Sequence, residues 1–185
     1  PTAEQPAVDT AAAEEMDKLF LEVIIAPSYS AEALEILKHK KNRIVLLRKE
    51  SARPSESFRS MFGGVLWQEK DLANETAADM KIVTEKAPSA AQIDDMVFAN
   101  RIVKHSRSNA IVLARNRQLC ASGIGQTSRI DALKQAIEKA GTFGLSLKDA
   151  VMASDAYFPF ADSVETAAKA GVTAVVQPGG SVRDA

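Results

Sequence analysis

One cysteine, two histidines and a single tryptophan are all that the 185 residues hold of these three types. Cys120 alone closes no intrachain disulfide. With His39 and His105 far apart in the chain there is no cluster from which to build a zinc site, so no metal is expected. The His-x-Glu and Pro-Cys-x-x-Cys elements of zinc deaminases are missing. So are the Gly-x-Ser-x-Gly elbow, the P-loop and Gly-x-Gly-x-x-Gly. No apolar run is long enough to cross a bilayer and no signal peptide is recognisable. Charge of one sign is lacking too: 23 Lys and Arg against 24 Asp and Glu give a formal net charge of −1, and the one basic cluster is Lys38 to Arg43. That balance argues against nucleic acid as the main partner. The expectation is a soluble protein of a reducing, cytoplasmic setting, with neither a membrane nor a nucleic acid to bind.

What is present suits a globular fold, with 46% hydrophobic residues and enough length for one domain or one plus part of another. The opening Pro-Thr-Ala-Glu and the close just after a glycine-rich turn suggest a fragment. Residues 1–10 read as a flexible leader before a helix over 11–20. Strand-like runs at Val23 to Ile25 and Arg43 to Leu47 flank a helix at Ala31 to Lys41 capped by Ser30, a parallel crossover that signals an α/β fold. Arg48 to Phe58 reads as a linker, while Met61 to Gln68 and Lys81 to Thr84 read as strands. Pro88-Ser89-Ala-Ala-Gln92 resembles a capping box for a helix running to about His105. Ala110 to Ala114 and Leu119 to Ile124 form a strand pair around Arg115-Asn116-Arg117. Helices are expected at Arg129 to Ala140, ended by Gly141, and at Ala161 to Ala170, with strands at Val151 to Ala153 and Val172 to Val176.

The stretch least like routine folding follows Val151-Met152-Ala153. Ser154 to Phe160 should form the loop at that strand's carboxyl end, where open α/β sheets place ligands. Tyr157, Phe158 and Phe160 stand around Pro159 in a chain only 5% aromatic. They form either a rigid ledge for a flat heterocycle or a plug for the sheet. Asp155 ends the strand and suits a ligand amine. Gln126, Ser128 and Arg129 surround a helix N-terminus, where free N–H groups favour a phosphate or carboxylate; Ser128 equally serves as a cap, with Asp131 three residues on. Asn109 offers donor and acceptor to a carboxamide or formyl oxygen, or caps a turn. Pro178 and Gly179, after the last strand, let a ligand approach the backbone. Lys104-His105 is either an acid–base pair or a basic pair favoured at a helix C-terminus. Asp162, with Glu165 three residues on, suits a cap.

Four motifs in order, Lys104-His-Ser-Arg-Ser-Asn-Ala-Ile-Val112, Gly123-Ile-Gly-Gln-Thr-Ser-Arg129, Met152-Ala-Ser-Asp-Ala-Tyr-Phe-Pro-Phe160 and Gln177-Pro-Gly-Gly-Ser-Val-Arg-Asp184, resemble the AICAR transformylase region of the AICAR transformylase/IMP cyclohydrolase family. The resemblance implies a three-layer α/β/α, cytidine deaminase-like fold without the zinc. It implies formyl transfer from 10-formyltetrahydrofolate, the co-substrate, to the AICAR nucleotide in purine biosynthesis, by a homodimer with shared sites. By motif, Asn109 and Arg129 line the AICAR site, Tyr157, Pro159 and Phe160 flank base and pterin, and Asp162 holds pterin nitrogens. On this reading residues 11–50 are the tail of a first transformylase subdomain, 51–88 linker and crossover strands, and 89–185 most of a second.

The family's catalytic Lys-His pair sits in a Lys-His-Val-Ser-Pro-Ala-Gly context absent here, so Lys104-His105 is not assigned catalysis. The family usually has phenylalanine at the position of Tyr157 and arginine at that of Ala161. Alone, the chain is expected to bind without turning over. The rival reading is a non-catalytic nucleotide- or folate-binding module.

Overall fold

Short β-branched runs set between capped helices fold here into two units, residues 1–71 and 72–185; a computed structural model describes residues 7–50 and 54–182. Most of the expected leader, the middle of the expected linker at 51–53 and the final residues 183–185 lie outside the described residues.

In the first unit, helix α1 (Thr10–Asp17) starts at Asp9, whose carboxylate accepts the Ala12 N–H at 2.8 Å. Strand β1 (Val23–Ala26) leads to helix α2 (Ala31–Lys38), where Ser30 accepts the Ala33 N–H at 3.1 Å. Strand β2 (Ile44–Leu47) then pairs parallel to β1, the expected crossover. Ile24 and Ala26 face a small core with Ala13, Ala33 and Leu37, while Val23 and Ile25 are exposed. Arg43 is buried beneath it, its side chain only 1% exposed. Its Nη1 donates to Asp17 at 2.8 Å and to the Leu37 carbonyl at 3.2 Å. The Arg43 hydrogen bond is the largest influence holding the Asp17 carboxyl below its ordinary value.

The linker expected over Arg48 to Phe58 is in part a strand. Strand β3 (Glu56–Met61) pairs antiparallel with β4 (Gly64–Glu69) around a turn in which Gly63 takes φ +74°. Polar alternation disguises β3, whose partner is its own sequence neighbour. Lys81 to Thr84, read as a strand, has no strand structure. Ile82 and Val83 are exposed there, so β-branching finds no ladder to join.

In the second unit, helix α3 (Ala90–Lys104) opens with the expected capping box between Ser89 and Gln92. Strands β5 (Ile111–Arg115) and β6 (Gln118–Gly123) form a hairpin whose Asn116 and Arg117 sit at φ 54° and 55°. The buried Asp95 of α3 accepts both turn N–H groups, at 2.9 and 2.7 Å. Helix α4 (Arg129–Thr142) runs through Gly141, contrary to expectation. The glycine that adopts positive φ is Gly144, at +66°, so the stop lies there. Strand β7 (Ala150–Ser154), helix α5 (Asp162–Lys169) and strand β8 (Val172–Val176) complete the unit.

The sheet order is β6-β5-β7-β8, with β5 antiparallel to both neighbours and β7 parallel to β8. Alternation sorts its side chains to two faces. Ile111, Leu113 and Met152 meet Leu133, Ala136 and Ala140 of α4 and Ala167 of α5. Val112, Ala114, Val151 and Ala153 meet Met96, Ala99 and Val103 of α3. The second unit is thus an α/β fold of helix, sheet and helix layers. Strand β6 meets α4 closely: a Cβ on Gly123 would fall 1.8 Å from the Ala132 carbonyl oxygen.

Candidate functional site

Because β5 runs antiparallel to β7, Ile111 lies beside Ser154, and the residues before β5 arrive where β7 ends. Ile111 also pairs with Gly123, so the segment leaving β6 reaches the same place. Asn109, Gln126, Arg129 and Asp155, 46 positions apart at most by their own numbers, are gathered there by topology.

Arg129, the first residue of α4, is the centre. Its Nε donates to Ser154 Oγ at 2.9 Å, Nη1 to Asn109 Oδ1 at 2.8 Å and Nη2 to Asp155 Oδ1 at 3.1 Å. The Arg129 and Asp155 side chains are 12% and 10% exposed. Asp155 Oδ1 also accepts the Ala110 N–H at 2.9 Å, and Oδ2 accepts the Ser108 hydroxyl. Asn109 donates from Nδ2 to the Gln126 carbonyl at 3.0 Å, and the two backbones exchange bonds at 3.1 and 3.3 Å. The Ser108–Asn109 peptide is cis. These bonds use three of the five guanidinium N–H groups and one of the two on the Asn109 amide, so donors remain for a ligand.

The expected anion cradle comes with carboxylates of its own. Asp155 balances the Arg129 charge. Ser128 caps α4, accepting the Asp131 N–H at 3.2 Å and donating to the Asp131 carboxylate at 2.6 Å, so a negative group already stands in the first turn. What the cluster offers is a charge-compensated set of hydrogen-bond donors and acceptors, apt for an amide or carbonyl.

The aromatic loop divides. Phe158 is 6% exposed and packs in the core between the sheet, α4 and α5, so it plugs the fold and is no part of a ledge. Its placement corrects the expectation that Phe158 touches a cofactor: burial of a whole phenyl ring outweighs leaving it for a ligand. Tyr157 and Phe160 are 45% and 56% exposed on either side, with Pro159 exposed between them. Gln177 fixes the loop from the end of β8, accepting the Phe158 N–H at 2.8 Å. That clamp was hidden in sequence; its signal is that parallel β7 and β8 must end on the same side. Pro178 and Gly179 follow it directly, Gly179 at φ +72°. Replacing Gln177 by Ala is expected to cost about 1–2 kcal/mol and to speed hydrogen exchange at the Phe158 amide. Unchanged exchange there would show that the clamp does not hold the loop.

Asp162 stands exposed at the start of α5, accepting the Ser163 N–H at 2.7 Å; it is a first-turn residue and Ala161 occupies the cap position. Lys104 and His105 close α3, with Lys104 donating to the Ala73 carbonyl. Burial is the main cause raising the Cys120 thiol pKa. Among the described residues no group of three His, Cys, Asp or Glu is placed to hold a metal, and no helix is long and apolar enough to cross a membrane.

Against known families, residues 3–139 match the one described as AICARFT/IMPCHase bienzyme. The chain belongs to that family. It is 63% identical over 177 residues to the bifunctional purine biosynthesis protein PurH of Bacteroides thetaiotaomicron, 96% of this chain and 35% of that protein. The PurH proteins of Thermoanaerobacter sp. and Ligilactobacillus salivarius are 47% and 49% identical, again over 96% of the chain. This member of the bienzyme family therefore spans about a third of the length of these curated relatives, with 34% and 35% of the latter two covered.

Proposed function

We propose that this chain forms part of an AICAR transformylase, moving a formyl group from 10-formyltetrahydrofolate to the amine of the AICAR nucleotide in cytoplasmic IMP biosynthesis. One observation carries the reading: a chain of the bienzyme family gathers Asn109, Arg129 and Asp155 by hydrogen bonds at the carboxyl end of β7. There the unused N–H groups of Asn109 and Arg129 hold the carboxamide or formyl oxygen, and an oxyanion developing on that oxygen is stabilised by the same donors. Tyr157 and Phe160 stack on the flat rings, Pro159 stiffens the loop, and Asp162 accepts from pterin nitrogens. Gln126, Pro178 and Gly179 bound the site through their backbones. The layered unit is of the cytidine deaminase-like type, used without zinc, and the working enzyme is a homodimer with shared sites.

Transfer to a weakly nucleophilic amine also needs a base for the departing proton. Lys104 and His105 close α3, with Lys104 donating to the Ala73 carbonyl, and are left out of this role. The chain alone is expected to bind both compounds and to release no tetrahydrofolate. Calorimetry with AICAR ribonucleotide and a reduced folate, beside a spectroscopic assay of tetrahydrofolate release, tests both halves. Binding of neither compound would overturn the reading, and turnover comparable with a full-length relative would return Lys104-His105 to the mechanism.

A further inference from the structure

We propose that Asp155 is a positioning residue of this site: it fixes the side chain of Asn109 through Arg129 and through the backbone at Ala110, and it keeps the cluster electrically neutral. This rests on the reading of Asn109 as a ligand-facing amide. The carboxylate ties two separate pieces of chain, the segment 108–110 and the start of α4, to the end of β7. Its Oδ1 takes the Ala110 N–H at 2.9 Å and Arg129 Nη2 at 3.1 Å, and its Oδ2 takes the Ser108 hydroxyl. Ser108 and Ala110 flank Asn109, so both neighbours of that amide are anchored to one side chain. The guanidinium that Asp155 orients then donates from Nη1 to Asn109 Oδ1 at 2.8 Å. An amide flipped about its terminal bond would set its NH2 group against that guanidinium donor, so the bond decides which end of Asn109 faces outward. Ser154, the third partner of Arg129, accepts from Nε at 2.9 Å and donates its own hydroxyl to the Ala156 carbonyl at 2.7 Å, which fixes the plane of the guanidinium.

The consequence is a preference. A charge-balanced Arg129 selects a neutral amide or carbonyl over a free anion, because an anion placed there also meets the Asp155 carboxylate. Removing that carboxylate's charge without changing its shape inverts the preference, whereas a purely structural Asp155 would weaken every ligand together.

The experiment uses the full chain and the variants Asp155→Asn and Ser108→Ala, with AICA riboside as the neutral probe and inorganic phosphate as the anionic one. For Asp155→Asn the riboside is expected to bind about tenfold more weakly, the scale of one charge-assisted hydrogen bond, while phosphate gains affinity. Ser108→Ala, at an exposed position, is expected to weaken the riboside by a smaller factor at unchanged melting temperature. Ligand-free NMR of the Asn109 side-chain NH2 supplies a measurement independent of any substrate, and its resonances are expected to shift or average in both variants. Unmoved Asn109 resonances in Ser108→Ala and Asp155→Asn would overturn the positioning role, as would parallel loss of both probes. If the wild-type chain bound no riboside while the Asn109 signals shifted as expected, the positioning of Asn109 would stand and the transformylase reading would fall.

Discussion

Replacing Gly123 by Ala is expected to abolish the cooperative fold of residues 72–185. The added Cβ would sit 1.8 Å from the Ala132 carbonyl oxygen, 2.6 Å from its carbon and 2.9 Å from its Cα, all backbone atoms of α4 that no rotamer change can move. Strand β6 would have to lift away from α4, uncovering Ala132, Leu133 and Ala136, which are fully buried. Overpacking a core typically costs about 1–3 kcal/mol when side chains yield, and a backbone collision exceeds that range. The control is Gly141→Ala inside α4, where an added Cβ meets nothing within 4 Å. That change is expected to stabilise by about 0.5–1 kcal/mol. Chemical denaturation followed by hydrogen exchange of the β5, β6 and α4 amides reads both, and a Gly123→Ala protein with wild-type protection would show that β6 and α4 do not pack as described.

The second large effect separates two neighbouring rings. Phe158→Ala is expected to destabilise the unit by about 3–5 kcal/mol, since the ring is 6% exposed among Leu133, Met152 and Ala167. Phe160→Ala, at 56% exposure, is expected to change stability by about 0.5 kcal/mol or less. It should instead weaken a reduced folate about three- to tenfold, the worth of one ring stack. Equal losses of stability in the two variants would make the whole loop a core plug. Full folate affinity in Phe160→Ala would remove the stacking assignment.

The contrast between those rings marks the boundary of what periodicity can reveal. Along β7 every side chain is buried, and the apolar run announces it. Past Ser154 there is no repeat, so nothing in Tyr-Phe-Pro-Phe tells which ring turns inward. Helix α3 was legible because Ser89 and Gln92 act within one turn, and so was the β5–β6 hairpin, whose partners are adjacent. The stop of α4 was misplaced by three residues, since Gly141 and Gly144 look alike until one of them needs positive φ. The place of Arg129 at a helix N-terminus was legible, but its neutralisation was not. That depends on Asp155, which joins it only after β7 has been laid against β5.

The chain holds two tyrosines and one tryptophan. Tyr29 and Trp67 both belong to the first unit, Tyr29 with its hydroxyl donating to the Leu46 carbonyl at 2.9 Å and Trp67 on β4. Tyr157 is therefore the sole phenol of residues 72–185, and it stands half out of the surface on the loop between β7 and α5. Labelled with fluorotyrosine, the protein would give two fluorine signals, one from each unit. The second unit thus carries a built-in spectroscopic reporter at the rim of its proposed ligand ledge.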